Sequence, residues 1–136
     1  GNTRVNGALY PFGHGLSYTT FAYSKLSVKQ ETPYSQSPVT VTVDVTNTGK
    51  RAGDEVVQLY IRDKVSSVIA YESVLRGFER ISLQPGETKT VTFVLLPEDL
   101  QILDRHMEWT VEPGEFEVRI GTSSTDIKLK DTFVVK

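Results

Sequence analysis

The sequence predicts an antiparallel β-sandwich, an all-β fold of seven to eight strands. Short segments of alternating apolar and polar residues recur along the 136-residue chain. Turn residues separate these segments about every ten positions, which is the spacing of short antiparallel strands. None of the segments has the longer apolar period of an amphipathic helix.

The clearest strand lies at residues 39–46, which read V-T-V-T-V-D-V-T and place valines on one face only. After a turn, residues 57–61 alternate in the same way, so these two segments are predicted to be neighbouring strands. Residues 90–95 and 115–120 also alternate, which predicts strands with one buried face. Residues 127–135 keep one apolar parity and predict a last strand.

The predicted core consists of the inward residues of these strands, because the two inner faces of a sandwich alternate with its outer faces along every strand. Trp109 is included because it shares its parity with Met107 and Val111 in a short strand. The full set is Val41, Val43, Val45, Val57, Leu59, Ile61, Val91, Phe93, Trp109, Phe116, Val118 and Ile120.

The connections have turn chemistry of their own. Residues 85–87 and 113–115 both read Pro-Gly-Glu, and each is predicted to form a type II turn at a hairpin corner. A change of apolar parity predicts a β-bulge near Gly77. Residues 97–100, with proline first and two acids next, predict a single helical turn. This set of elements is typical of a fibronectin type III or immunoglobulin-like sandwich.

The composition argues against several functions. The chain has no cysteine, which excludes disulfides and thiolate metal sites. Its formal net charge is −2, without a block of one sign, so nucleic acid is not an expected partner. No apolar run approaches the ~20 residues that cross a bilayer, so no membrane contact is expected. His14 and His106 lack metal-site spacing, and we predict no metal and no cofactor.

Three pairs of acids are the candidates for hydrolysis of a glycosidic bond, which needs two carboxyl groups about 5–10 Å apart. They are Asp54 with Glu55, Glu98 with Asp99, and Glu115 with Glu117. These pairs follow a turn, start a helical turn or lie on the polar face of a strand, where acids are ordinarily solvated. We therefore predict no catalytic residue in this chain.

Carbohydrate binding is an alternative that the residues leave open. Sugar-binding sandwiches stack pyranose rings on exposed aromatic faces, and four tyrosines are candidates for such a platform. They are Tyr23, Tyr34, Tyr60 and Tyr71. Dimerisation of a larger protein is a second alternative.

Two stretches do not fit a self-contained sandwich. Residues 9–18 set aromatic and aliphatic residues among glycines and a proline, and residues 63–71 are more apolar than a solvated loop. We predict that residues 1–20 form an interdomain docking strip, ahead of a sandwich domain at residues 21–136. The predicted interdomain contacts are Leu9, Tyr10, Phe12, Leu16, Tyr18, Val65, Val68, Ile69 and Tyr71.

The chain also resembles a known family in six segments, and the segments follow the family's order. They are residues 10–21 (YPFGHGLSYTTF), 47–49 (NTG), 53–60 (GDEVVQLY), 75–80 (LRGFER), 83–87 (LQPGE) and 109–114 (WTVEPG). Together they resemble the C-terminal fibronectin type III-like domain of glycoside hydrolase family 3, the β-glucosidase and β-xylosidase family, and its join to the catalytic part.

The resemblance implies a retaining hydrolase whose aspartate nucleophile lies in a (β/α)8 barrel and whose acid/base comes from a second α/β domain. No residue of this chain matches those catalytic motifs. The implied role is a non-catalytic domain that contacts the catalytic domains of the same polypeptide. The family further implies an exported, periplasmic or extracellular enzyme.

Overall fold

The computed structural model describes residues 18–64, 73–103 and 105–136. Within them lie nine strands and one helical turn. The strands are β1 (Phe21–Gln30), β2 (Val39–Asn47), β3 (Gly53–Asp63), β4 (Val74–Leu83), β5 (Thr88–Leu95), β6 (Ile102–Leu103), β7 (Trp109–Thr110), β8 (Gly114–Ser123) and β9 (Asp126–Val135). The helical turn α1 (Pro97–Leu100) follows β5, as the sequence predicted.

Two antiparallel sheets enclose the core, one with the strand order β1-β2-β5 and one with the order β4-β3-β8-β9. The predicted antiparallel sandwich is therefore confirmed. The two-residue strands β6 and β7 form a separate hairpin, which raises the strand number above the predicted seven or eight. The prediction that β2 and β3 are neighbours was wrong, since they lie in opposite sheets. Alternation marks the buried face of a strand and does not identify the sheet that contains it.

The core contains eleven of the twelve predicted residues, because all of them except Trp109 are buried. Phe116 stacks on Phe133 with ring centroids 5.4 Å apart. Trp109 is 66% exposed, so its predicted burial was wrong. The cause is that Trp109 pairs with Leu103 in the β6–β7 hairpin, which belongs to neither sandwich sheet.

A β-bulge in β4 confirms the irregularity predicted near Gly77. Leu59 pairs with Gly77, but the next residue, Tyr60, pairs with Leu75. Arg76 is therefore the extra residue. A bulge of this kind re-aims the side chain that it carries.

A second bulge lies in β1 and was not predicted. Its register with β2 shifts between Ser24 and Ser27, and Lys25 has a positive φ of 55°. The extra residue reverses the parity of the strand, so that Tyr23 before it and Leu26 after it both pack against the core.

Neither Pro-Gly-Glu turn is a hairpin corner, which corrects that prediction. Residues 85–87 lead from β4 in one sheet to β5 in the other, and residues 113–115 lead from β7 into β8. The turn chemistry itself is as predicted at residues 85–87. Gly86 has a φ of 80°, and the backbone N–H of Glu87 donates to the carbonyl of Gln84 at 3.0 Å.

The long strands run between two ends of the sandwich. The lower end is where β1 begins, beside the connections at residues 48–52 and 84–87. The upper end is where β3 ends and β4 begins, and it also carries α1 and the β6–β7 hairpin. Strands of about ten residues separate the two ends by about 33 Å.

Candidate functional site

The side chain of Asn47 holds the lower end together. Asn47 is fully buried, and its Oδ1 accepts hydrogen bonds from Thr19 Oγ1 at 3.0 Å and from the backbone N–H of Gly49 at 2.9 Å. Its Nδ2 donates to the carbonyls of Arg51 at 2.8 Å and Leu83 at 3.0 Å. One amide therefore links the start of β1, the connection from β2 to β3, and the end of β4.

The residues just before β1 are fixed by the same segment. The backbone N–H of Thr48 donates to the carbonyl of Thr20 at 2.9 Å, and the two hydroxyls lie 2.8 Å apart. A Cβ atom at Gly49 would lie 1.8 Å from Thr19 Oγ1, so a larger residue would displace that threonine. The Asn-Thr-Gly segment thus anchors the chain where the predicted docking strip joins the sandwich.

The predicted interdomain contacts fall mostly outside the described residues. Tyr18 is described, and it is 99% exposed, immediately next to the anchored Thr19. The predicted contacts that lie outside the described residues are Leu9, Tyr10, Phe12, Leu16, Val65, Val68, Ile69 and Tyr71. Tyr18, the last residue of the predicted segment 9–18, lies at the lower end of the sandwich. Lys64, near the start of the predicted segment 63–71, lies at the upper end.

A pocket of about 50 Å³ opens at the upper end. Its lining includes Ile61, Val74 and Ile102, together with the bulged Arg76. The Nε of Arg76 donates to the carbonyl of Asp99 at 2.8 Å, and burial lowers the pKa of this guanidinium. Sites for small molecules usually measure about 300–1,000 Å³, so this pocket is too small to enclose a sugar ring.

Two of the candidate acids are buried, which corrects the prediction that all six are solvated. Asp99 is buried, and its Oδ2 accepts a hydrogen bond from the backbone N–H of Leu96 at 2.7 Å, at the start of α1. Glu55 is buried on β3 and accepts a hydrogen bond from Tyr23 OH at 3.1 Å. Both carboxylates therefore serve as structural acceptors.

Partners near the surface hold three of the other acids. Asp54 contacts Arg80 at 2.8 Å and accepts a hydrogen bond from Ser82 at 2.7 Å. These two hydrogen bonds, with that of Ser82 the stronger cause, hold the pKa of Asp54 below its usual range. The other two acids are Glu115, 3.5 Å from Lys64, and Glu117, 2.7 Å from Arg119. Glu98 is exposed in α1.

The hydrogen bond between Tyr23 and Glu55 joins the two sheets. Tyr23 belongs to β1 and Glu55 to β3, so the bond crosses one margin of the sandwich. Burial is the main cause that raises the pKa of Glu55, and the phenol bond only partly offsets it. Burial, followed by the charge of Glu55, raises the pKa of Tyr23 as well.

Glu55→Gln is expected to raise the free energy of unfolding at pH 7. The folded-state pKa of Glu55 lies above its ordinary value, so this group contributes stability at acid pH that is lost as the pH rises through that pKa. Glutamine keeps an acceptor for Tyr23 OH and carries no charge. In urea unfolding, the variant should be more stable than the unsubstituted domain at pH 7 and should lose that advantage near pH 3. The exposed Glu98→Gln is the control, and an identical pH profile for both variants would contradict the assignment.

The predicted tyrosine platform is not assembled in the part of the chain that the structure describes. Tyr60 is buried, and its hydroxyl donates to Gln58 Oε1. Tyr23 is half-buried against the core, and Tyr71 lies outside the described residues. Of the four candidates, Tyr34 alone is described and exposed, at 58%.

Three exposed apolar residues that sequence reasoning missed lie in the β6–β7 hairpin. Trp109, Met107 and Leu103 are 66%, 75% and 36% exposed. The available signal was that four of the five residues at 104–108 (D-R-H-M-E) are polar or charged, which is typical of a hairpin tip and argues against a core strand. Among the described residues no group of three potential metal ligands occurs, and none of their helices is long and apolar enough to span a membrane.

The sequence matches the fibronectin type III-like domain family over residues 55–124, a range that runs from β3 to the end of β8. The chain belongs to that family. It is 50% identical over 122 residues to a β-xylosidase of Formosa agariphila, covering 90% of this chain and 17% of that protein. It is 46% identical to a periplasmic β-glucosidase of Salmonella typhimurium, covering 91% of this chain and 16% of that protein.

Solved structures share the fold of this fibronectin type III-like domain. The GH3 β-glucosidase of Bifidobacterium adolescentis superposes with a TM-score of 0.81 at 35% identity, covering 93% of this chain and 18% of that one. The domain thus spans about one-sixth of the length of the relatives that it matches. It corresponds to their fibronectin type III-like part, which is not the catalytic part of those hydrolases.

Proposed function

We propose that this domain is the non-catalytic C-terminal domain of a glycoside hydrolase family 3 β-glycosidase, and that it packs on the catalytic domains of the same polypeptide. The observation that carries the proposal is the match to about one-sixth of the length of β-xylosidases and β-glucosidases. The parent enzyme would remove terminal β-linked sugars. Export to the periplasm or the exterior is supported by a relative that is named as periplasmic.

The chemistry of the described residues supports an accessory role. The core is closed by two sheets, and five of the six candidate acids accept hydrogen bonds or form ion pairs within the domain. The pocket at the upper end is too small for a pyranose ring. We also propose that residues 1–20 form the docking strip and residues 21–136 the sandwich, since the anchored Thr19 and Thr20 precede β1 directly.

The purified 136-residue chain is expected not to hydrolyse an aryl β-glucoside or β-xyloside, because no pair of carboxyl groups placed to act on a sugar is identifiable among the residues that the structure describes. The parent enzyme that contains the chain should hydrolyse one of them. The measurement is release of the chromophore by equal molar amounts of both proteins. Turnover by the chain alone that is lost in Glu55→Gln or Asp99→Asn would refute the accessory role.

A further inference from the structure

We infer that the β6–β7 hairpin is a second surface, besides the proposed docking strip at residues 1–20, through which this domain contacts the catalytic part of its own polypeptide, with Leu103, Met107 and Trp109 as its apolar contacts. The inference rests on the function proposed above. It assigns this contact to the upper end of the sandwich and includes Trp109, which sequence analysis had placed in the core.

The pairing of the hairpin decides where its side chains face. Leu103 lies directly opposite Trp109, and directly opposed residues of antiparallel strands share one face. The preceding residue, Ile102, lines the pocket at the upper end, so it faces the sandwich. Successive side chains of a strand point to opposite faces, so Leu103, next to Ile102, faces away from the sandwich. Trp109 faces the same way because it lies opposite Leu103.

The exposed side chains contribute little to the stability of the domain itself. Trp109 is 66% exposed although tryptophan has the largest apolar area of any side chain. Met107 is 75% exposed and has a φ of 62°, which is uncommon for a residue other than glycine. Unusual backbone that holds an apolar side chain in water points to a role outside the domain.

The hairpin is nevertheless fixed in place. Isolated two-stranded hairpins are marginally stable in water. Here Ile102 lines the pocket, and Val111, which follows β7, packs against the core. Val74, at the start of β4, lines the same pocket. A partner would therefore meet a surface that is already ordered.

The size of the surface favours a partner within the same polypeptide. A stable complex between separate proteins needs about 800 Å² from each partner, which the three exposed side chains of the hairpin do not provide. A covalent connection makes the second contact intramolecular, at an effective concentration in the millimolar range, so a smaller surface is sufficient. The domain spans only 16–17% of its relatives, so the rest of such a polypeptide is tethered beside it.

The test uses the full-length parent enzyme, with Met107 and Trp109 both replaced by serine, and calorimetry. The wild-type parent should unfold in one coupled transition. The double variant should unfold in two, and the earlier transition should match that of the isolated domain. The isolated domain with the same changes should melt within about 2 °C of its own wild type, because both side chains are mainly exposed. A double variant of the parent that retains the single transition overturns the inference.

Further measurements separate failure of the inference from failure of the proposed function. Two independent transitions in the wild-type parent would refute docking as such. If the wild-type parent unfolds in one transition, and this transition splits in the Tyr18→Ser variant but not in the double variant, docking belongs to the lower end and the inference is overturned. Retardation of the isolated domain in a β-glucan gel, lost in Trp109→Ser, would assign the hairpin to sugar binding and overturn it as well. A monomer–dimer equilibrium of the isolated domain in sedimentation, abolished by the double substitution, would assign the hairpin to dimerisation and would also overturn the inference.

Discussion

Phe93→Ala is expected to lower the free energy of unfolding by about 3–5 kcal/mol, because it removes a fully buried ring from the centre of β5 and leaves a cavity. Phe93 is 2% exposed and lies opposite Val41, which is fully buried. Both sheets pack around this position, so collapse of the site would require movement of whole strands. Equilibrium unfolding in urea, monitored by tryptophan fluorescence and circular dichroism, measures the change.

The control for Phe93 is its neighbour in the same strand. Thr92 is exposed on the outer face of β5, opposite Thr42. Thr92→Ala should change the free energy of unfolding by no more than about 0.5 kcal/mol. Similar losses in the two variants would mean that the buried face of β5 is wrongly assigned.

Asn47→Ala is expected to cost about 2–4 kcal/mol, although the residue is polar. Its side chain makes four hydrogen bonds, two as acceptor and two as donor, and the residue is fully buried. Each bond contributes about 0.5–1.5 kcal/mol net, and the buried carbonyl of Leu83 would lose its bond to the amide. The same urea titration measures the loss.

Two further variants separate this hydrogen-bond network from a general effect of the loop. Thr48→Ala, at the exposed next position, should cost about 0.5 kcal/mol. Asn47→Asp keeps the acceptors but sets a carboxylate against the carbonyls of Arg51 and Leu83, so it should destabilise the domain at pH 7 and recover in part at acid pH, where the carboxyl regains a donor. An Asn47→Ala variant as stable as Thr48→Ala would contradict the network.

Local patterns in the sequence predicted much of the fold. The valine alternation in β2, the bulge before Gly77 and the helical turn at Pro97 are all confirmed, because each depends on a few adjacent residues. The sheet that contains each strand could not be read in this way. β2 and β3 follow each other in the chain yet lie in opposite sheets, and alternation is the same in either arrangement.

The candidate site was harder to predict, for a related reason. Parity predicted that Trp109 shares a face with Val111, but Val111 packs against the core whereas Trp109 is exposed, because β7 and its alternation end at Thr110. Glu55 is bonded to Tyr23, which lies thirty-two positions earlier in the chain, so a local pattern in β3 could not reveal this contact. The contacts predicted at residues 9–18 and 65–71 stay predictions.

The anchoring at Asn47 constrains how a tethered enzyme could be laid out. The chain enters the sandwich at the lower end, whereas the hairpin lies at the upper end, about 33 Å away along the strands. A catalytic part that is attached at one end and makes contact at the other must therefore extend along the side of the sandwich over that distance. Attachment at the lower end and contact at the upper end are then two separate requirements, and a change in either end can be made without altering any residue of the other.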